Sequence, residues 1–476
     1  MSQERPNVVL IITEHWRGDS LSSLGHPVAE TPHIDELSAG GVTFTSAFTP
    51  CPSCIAARRS LFTGQTPNTH GMVGYQDGRP WPYTRTLAGE LTRAGYQTIN
   101  VGKTHFHPTR LHLGFEQLIV PQDYAEWIDE KTGLTRAQFA HGVHGNSWMA
   151  RASHLPENDM EETWLTDQAI KRIDKRDPER PFFLTLSYNG VHPPLCPPQT
   201  YFDMFMARDI PGPTVGEWAR ALEGELPSPP PVNAWRAKLS PELNHRARAA
   251  YYGYMAYVDA QIGRFVEFLG RRGEGRNTLF LFTADHGEML GDHHLWRKTY
   301  ALDPSARIPF IIRPPLAWKA GRNTRSDALV GLEDVMPTLL SAAGVEAPDT
   351  VEGLDLMPLV AGGDFLPREY YHHEHSFCYS SKNAYQCLTG EEWKYVWNPV
   401  TGAEQLFYRA EDPGECNDLA GDPGYSATLK DWRARMAGHL AGRPEGLSDG
   451  KKLVTGEVPV WRDPRGDVGV GASEVI

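Results

Sequence analysis

The chain has 476 residues, 40% of them hydrophobic and 22% charged, with a formal net charge of −13. Such a composition belongs to a globular protein, not to a disordered, collagen-like or coiled-coil chain, and the length exceeds one simple domain. The acidic balance argues against nucleic acid or an anionic membrane as a partner, yet leaves room for a local cationic pocket that binds a small anion.

The first apolar run, 8–12, is too short to span a membrane and reads as a buried strand ending in Thr13-Glu14-His15. Polar residues precede it and no signal-peptide pattern is present, so a cytoplasmic location is expected. The six cysteines, at positions 51, 54, 196, 378, 387 and 416, are too sparse for a disulfide scaffold and fit a reducing compartment. Short helices are expected over 33–38 and 86–94, then a strand over 97–101 running into Gly102-Lys103-Thr104-His105. An amphipathic helix over 158–175 leads to a strand over 182–188 that ends near His192. Residues 206–241, rich in proline, read as a surface insertion. A long helix over 242–270 follows, with apolar residues stepping by three and four. A strand over 279–283 ends at Asp285-His286, and a further strand (308–312) and helix (332–343) complete the pattern.

This alternation predicts an α/β domain over 1–363, a mostly parallel sheet sandwiched by helices. In open sheets of this kind the site lies beyond the carboxyl ends of the strands. Four strand ends deliver Glu14 and His15, Lys103 and His105, His192, and Asp285 with His286 to what is expected to be one edge. Beyond 364, short strands and a helix over 426–440 predict a smaller C-terminal α+β subdomain ending at 446. The Gly-rich tail, 447–476, is expected to be an arm onto a neighbouring subunit in a homo-oligomer.

Phe44 to Gly64 reads FTSAFTPCPSCIAARRSLFTG. Cys54 stands just before a predicted helix, where free N–H groups and the helix dipole favour an anion, and Arg58 and Arg59 follow within the first turn. From these neighbours a lowered thiol pKa is expected. Cys51 and Cys54 also form a C-x-x-C, but no second such pair completes a zinc site. His372-His373-Glu374-His375 reads as a polar strand near a pocket mouth, and Asp292-His293-His294 as a support loop.

Cys54-Ile55-Ala56-Ala57-Arg58, with Ser60-Leu61-Phe62-Thr63-Gly64 behind it, resembles the C-x-P-x-R signature of the formylglycine-dependent sulfatases of the alkaline phosphatase superfamily. Ala56 stands in the proline position. The resemblance covers most of the chain. Thr13-Glu14-His15 falls at the family's first metal loop, with both expected ligands changed. Gly102-Lys103-Thr104-His105 matches the G-K-x-H element, and His192 lies in a P-H-x-P-like stretch. Asp285 to His293 matches D-H-G-E-x-L-G-D-H, with Lys298 downstream. Residues 102–106 and 111–115 look most like the choline-sulfatase and bacterial arylsulfatase branch.

The resemblance implies an alkaline-phosphatase-like fold and a sulfuric ester hydrolase acting on a small anionic sulfate ester. It implies a maturation enzyme that converts Cys54 to formylglycine, whose hydrate attacks sulfur and then expels sulfate. It implies one divalent metal ion (manganese, calcium, zinc or iron) held by Glu14, His15, Asp285, His286 and the modified Cys54. Arg58 would hold the nucleophile, Lys103 and Lys298 would neutralise sulfate oxygens, His105 would assist sulfate expulsion, and His192 or Lys298 would serve the leaving alkoxide. Two alternatives stand beside this reading: a phosphonate monoester or phosphodiester hydrolase on the same scaffold, and a non-catalytic relative that binds anions. Retention of Lys103 and His105 favours sulfate.

Overall fold

A computed structural model describes residues 5–380 and 382–464; the last twelve residues of the expected C-terminal arm lie outside them. In chain order the strands are β1 (Asn7–Thr13), β2 (Val42–Phe44), β3 (Ala47–Phe48), β4 (Gln97–Gly102), β5 (Gln117–Ile119), β6 (Phe182–Ser187), β7 (Thr278–Ala284), β8 (Phe310–Arg313), β9 (Thr324–Ser326), β10 (Val330–Gly331), β11 (Tyr371–His375), β12 (Tyr385–Thr389), β13 (Trp393–Trp397) and β14 (Glu404–Tyr408). Eight of them form one sheet in the order β5-β4-β6-β1-β7-β8-β2-β9. β1 lies at its centre, every residue buried, because its apolar run has no polar face to show to water. It pairs in parallel with β6 and β7, and β4 pairs in parallel with β5 and β6. The departure from a parallel sheet is β8, which runs antiparallel to both β7 and β2. Helices flank the sheet, among them Glu161–Asp174 and Pro241–Arg271, which pack on one another. None among the described residues is long and apolar enough to cross a membrane.

Register brings the strand ends to one place. Thr13 pairs with Ala284, so Glu14 and Asp285 leave the sheet side by side, and Asp285 N donates to Thr13 O at 3.1 Å. Gly102 pairs with Ser187, and Lys103 N donates to Ser187 O at 3.0 Å. Gly102 has φ +105, and a Cβ there would stand 1.9 Å from Ser187 O, so the turn that delivers Lys103 requires glycine.

β11 to β14 form a separate antiparallel sheet, with the helix Ser426–His439 packed on β12 and β13. The described part of the tail returns to its own chain: Val458 and Trp461 are buried, and Arg462 donates to Asn68. The sheet is tied to the larger body by Lys394, fully buried, whose ammonium donates to Ala301 O at 3.1 Å and pairs with Asp303 and Glu415. Burial alone would raise the Asp303 carboxyl; Lys394 and Arg409 overcome it and hold the group far below the usual carboxylate range. Removing one partner of a buried ion network leaves the others uncompensated. Lys394→Met is therefore expected to lower the unfolding free energy by about 3–5 kcal/mol, read from urea denaturation; a loss under about 1 kcal/mol would mean the cluster behaves like a surface pair.

Candidate active site

Residue 54 opens the helix Cys54–Thr63, whose ten residues are all buried. Ser53 precedes it in extended conformation, and Gly64, at φ 67, ends it. The thiol therefore points from a helix N-terminus toward the ends of β1 and β7. Cys54 Sγ lies 3.1 Å from His286 Nε2. His286 Nδ1 donates to the Gly287 carbonyl at 3.0 Å, so Nε2 carries the lone pair that faces Cys54. One ligand atom from each of Glu14, Cys54, Asp285 and His286 lies within 4.8 Å of the others. All four residues are buried, and no N–H or hydroxyl is bonded to Glu14 Oε2 or Asp285 Oδ1. Asp285 is pushed up to about 7 by burial and by the neighbouring Glu14 carboxylate, against Arg58. Two buried carboxylates crowded together with an imidazole lone pair form a donor set able to hold a metal ion.

Arg58 braces this group. Its Nε donates to Asp285 Oδ2 at 3.1 Å, and its Nη1 to the Lys103 carbonyl at 2.7 Å and to Ser187 Oγ at 2.9 Å. Its Nη2 stands 3.8 Å from Glu14 Oε1, which Lys103 Nζ approaches to 2.6 Å. Burial would lower the Lys103 pKa, but Glu14 raises it above the usual lysine value. Arg59 faces the other way, sandwiched between Trp81 and Trp461 and bonded to Pro80 O.

The expected lowering of the Cys54 thiol pKa is corrected here. Burial, the Glu14 carboxylate and Asp285 push Cys54 up to about 12, outweighing Lys298 and Lys103. The helix dipole and Arg58 were legible in sequence; the two carboxylates come from other strands. Unmodified Cys54 should thus resist iodoacetamide at roughly pH 8, below its shifted pKa, and label more slowly than Cys416, which reaches the surface. Peptide mapping of native and unfolded protein checks this, and rapid native labelling of Cys54 would contradict it.

His15 stands beside the four-residue group, not within it. Its Nδ1 is 2.6 Å from Glu288 Oε2, and its Nε2 is 2.8 Å from Lys298 Nζ. Because an ammonium only donates, Nε2 is the acceptor and Nδ1 the donor to Glu288. His192 is arranged alike: Nδ1 donates to the Pro193 carbonyl at 2.5 Å, and Nε2 lies 3.4 Å from Lys298. Burial and Lys298 lower His192 to about 3. His15 and His105 both adopt positive φ, 54 and 58, uncommon for residues with a side chain and typical of functional turns. His105 Nδ1 is buried without a hydrogen-bond partner.

Cys54, Lys103, His105, His192 and Lys298 line one cavity of about 810 Å³, whose outer wall includes Tyr75, Trp235 and Tyr379. A second, of about 260 Å³, shares Lys103 and His192 and reaches Glu14. Sequence reasoning did not assign Glu288, although it sits inside the quoted D-H-G-E element, nor Glu161 and Glu162, whose polar pair at a helix start carries no motif. His372 to His375 line neither cavity: His373 stacks on Phe48 at 5.9 Å, and Glu374 is held by Arg443 at 2.7 Å. Asp292 is a support residue, bonded to Arg17 at 2.8 Å.

The sulfatase family model matches residues 6–345, and a model of the N-sulphoglucosamine sulphohydrolase C-terminal region matches 291–441. An arylsulfatase of Clostridium perfringens is 37% identical over 95% of this chain and 98% of its own length. A choline-sulfatase of Rhizobium meliloti is 28% identical, covering 92% of this chain and 88% of that one. Among solved structures, the phosphonate monoester hydrolase of Agrobacterium radiobacter superposes with a TM-score of 0.79 at 26% identity, covering 91% of this chain and 95% of that chain. The chain belongs to the sulfatase family. Within it, the likeness to arylsulfatase over nearly the whole length makes it a sulfuric ester hydrolase.

Proposed function

We propose that this chain hydrolyses the sulfate ester of a small organic alcohol or phenol, with residue 54 acting as formylglycine beside one divalent metal ion. The observation that carries the reading is the convergence of Glu14, Asp285, His286 and Cys54, with two buried carboxylate oxygens that receive no hydrogen bond. These four would hold the ion, with His15 steering Lys298 instead of ligating. A mixed nitrogen and oxygen set suits manganese, zinc or iron better than calcium, which prefers oxygen alone. When bound, the ion would supply Lewis acidity and a template, and formylglycine an oxygen nucleophile.

The chain's own groups supply the rest. Arg58 fixes the helix start against Asp285 and the Lys103 carbonyl. Lys103 lines the cavity beside residue 54, where sulfate oxygens gain charge. His105 Nδ1, with no other partner, accepts a proton near residue 54. Lys298 hands a proton to the leaving oxygen, since both neighbouring imidazoles present lone pairs to it. Phosphonate or phosphodiester hydrolysis fits less well, because both Lys103 and His105 line the cavity with Cys54. A purely anion-binding role leaves the intact donor set unexplained.

Cys54 is 2% exposed, so a formylglycine-generating enzyme must reach it before the helix is buried. A cytoplasmic location and a homo-oligomer belong to the same proposal, the latter read from light scattering of the full chain. The deciding test is the mass of the tryptic peptide ending at Arg58, from the native host. An aldehyde or its hydrate at residue 54 supports the reading, and an intact thiol in active enzyme overturns it.

A further inference from the structure

The smaller cavity is lined by acceptors. Glu162 is fully buried; its Oε1 accepts from Gly190 N at 3.1 Å and from Tyr254 OH at 2.9 Å, but its Oε2 has no partner. Beside it, Glu161 Oε1 accepts from Asn189 Nδ2 at 2.8 Å. His154 Nε2 donates to the Ala137 carbonyl at 2.9 Å, leaving Nδ1 a buried acceptor without a partner, and Gln138 Oε1 is likewise unpaired. All four residues face one space of about 260 Å³. The cation on its wall, Lys103, is already paired with Glu14. Burial and Glu162 push Glu161 up to about 8, the response of two carboxylates with no cation between them.

A buried carboxylate oxygen without a donor costs free energy that a ligand can recover. The space is too large for a bare ion and is walled elsewhere by Phe139, Met160 and Pro193. Lys103 and His192 line both it and the large cavity, so the lobe lies directly beside the space that takes the ester. We propose that this lobe is a subsite for an N–H-bearing ammonium on the alcohol half of the substrate, so that the preferred ester is an aminated alcohol or phenol sulfate. The inference rests on the sulfatase reading above. The N–H groups matter: the unpaired acceptors need donors, which a quaternary ammonium lacks.

The test compares kcat/KM of the matured holoenzyme for phenyl sulfate, 4-(aminomethyl)phenyl sulfate and its trimethylammonium analogue, in wild type, Glu162→Gln and Glu161→Gln. The wild type should favour the primary amine over phenyl sulfate by about tenfold or more. The quaternary analogue should gain less, and either variant should reduce the preference several-fold. Equal rates on all three esters in the wild type, or a preference that survives both variants, would overturn the subsite. So would a drop in bound metal in Glu162→Gln with the preference intact, which would assign the lobe to the metal instead. Should none of the esters be hydrolysed, the sulfatase reading has failed independently; calorimetric binding of benzylamine to wild type and Glu162→Gln then decides the lobe by itself, weaker binding in the variant supporting it and no binding to wild type ending it.

Discussion

Arg58→Lys should cut sulfate-ester turnover by roughly 10²–10³-fold or more, although the positive charge is kept. The guanidinium bonds three separate partners, Asp285, the Lys103 carbonyl and Ser187 Oγ, from two of its nitrogens, and a third nitrogen approaches Glu14. A lysine is a point donor on a flexible stem and cannot hold the ends of β1, β4, β6 and β7 in one fixed fork. Arg58→Met goes further. In the metal-free protein it leaves the buried Asp285 without its ion-pair partner and should cost about 3–5 kcal/mol of stability. The lysine variant should regain much of that stability but little activity. Urea denaturation beside sulfate release separates the two effects. Near-normal turnover in Arg58→Lys would show that charge alone matters there, and the bracing argument would fail.

What the sequence revealed and what it hid divide along a physical line. β1, β6 and β7 were legible because a strand buried on both faces is a largely continuous apolar run, β4 from the β-branched Thr98, Ile99 and Val101 ahead of Gly102, and Pro241–Arg271 because its apolar steps match one helix face. The strand ends followed from these, and with them the acids, lysines and imidazoles at one edge. β2, β8 and β9 are three or four residues long, too short to carry a period, so their pairing and the antiparallel step were not legible. β11 extends through His372 to His375 because its polar groups meet partners far away in sequence, Arg443 for Glu374 and Phe48 for His373. The same applies to charge. Arg59 follows Arg58 by one residue, hence about 100° round the helix, and faces the aromatic wall of Trp81 and Trp461. Sequence neighbours thus overstated the cations around Cys54 and concealed the carboxylates from two other strands, and its pKa moved up instead of down.

Lys298→Met should slow an alkyl sulfate by about 10²–10⁴-fold and 4-nitrophenyl sulfate much less. The reason lies in proton bookkeeping around a buried ammonium. Lys298 Nζ is flanked by His15 Nε2 at 2.8 Å and His192 Nε2 at 3.4 Å, and each imidazole spends its own proton elsewhere, on Glu288 and on the Pro193 carbonyl. Lys298 is therefore the proton source among the three. An alkoxide is too basic to leave unprotonated, whereas nitrophenolate leaves readily, so losing the donor should steepen the dependence of rate on leaving-group pKa. His192, lowered to about 3 by burial and by Lys298, stays neutral well below pH 5, so the alkyl-to-aryl rate ratio should show no break near the ordinary histidine pKa of about 6.5. His15→Ala should weaken the same discrimination in part, by freeing the ammonium from its aim, and Glu288→Gln less again, since an amide oxygen still accepts from Nδ1. A uniform loss across the leaving-group series in Lys298→Met would instead assign Lys298 to binding sulfate, and the donor role would pass to a group outside this triad.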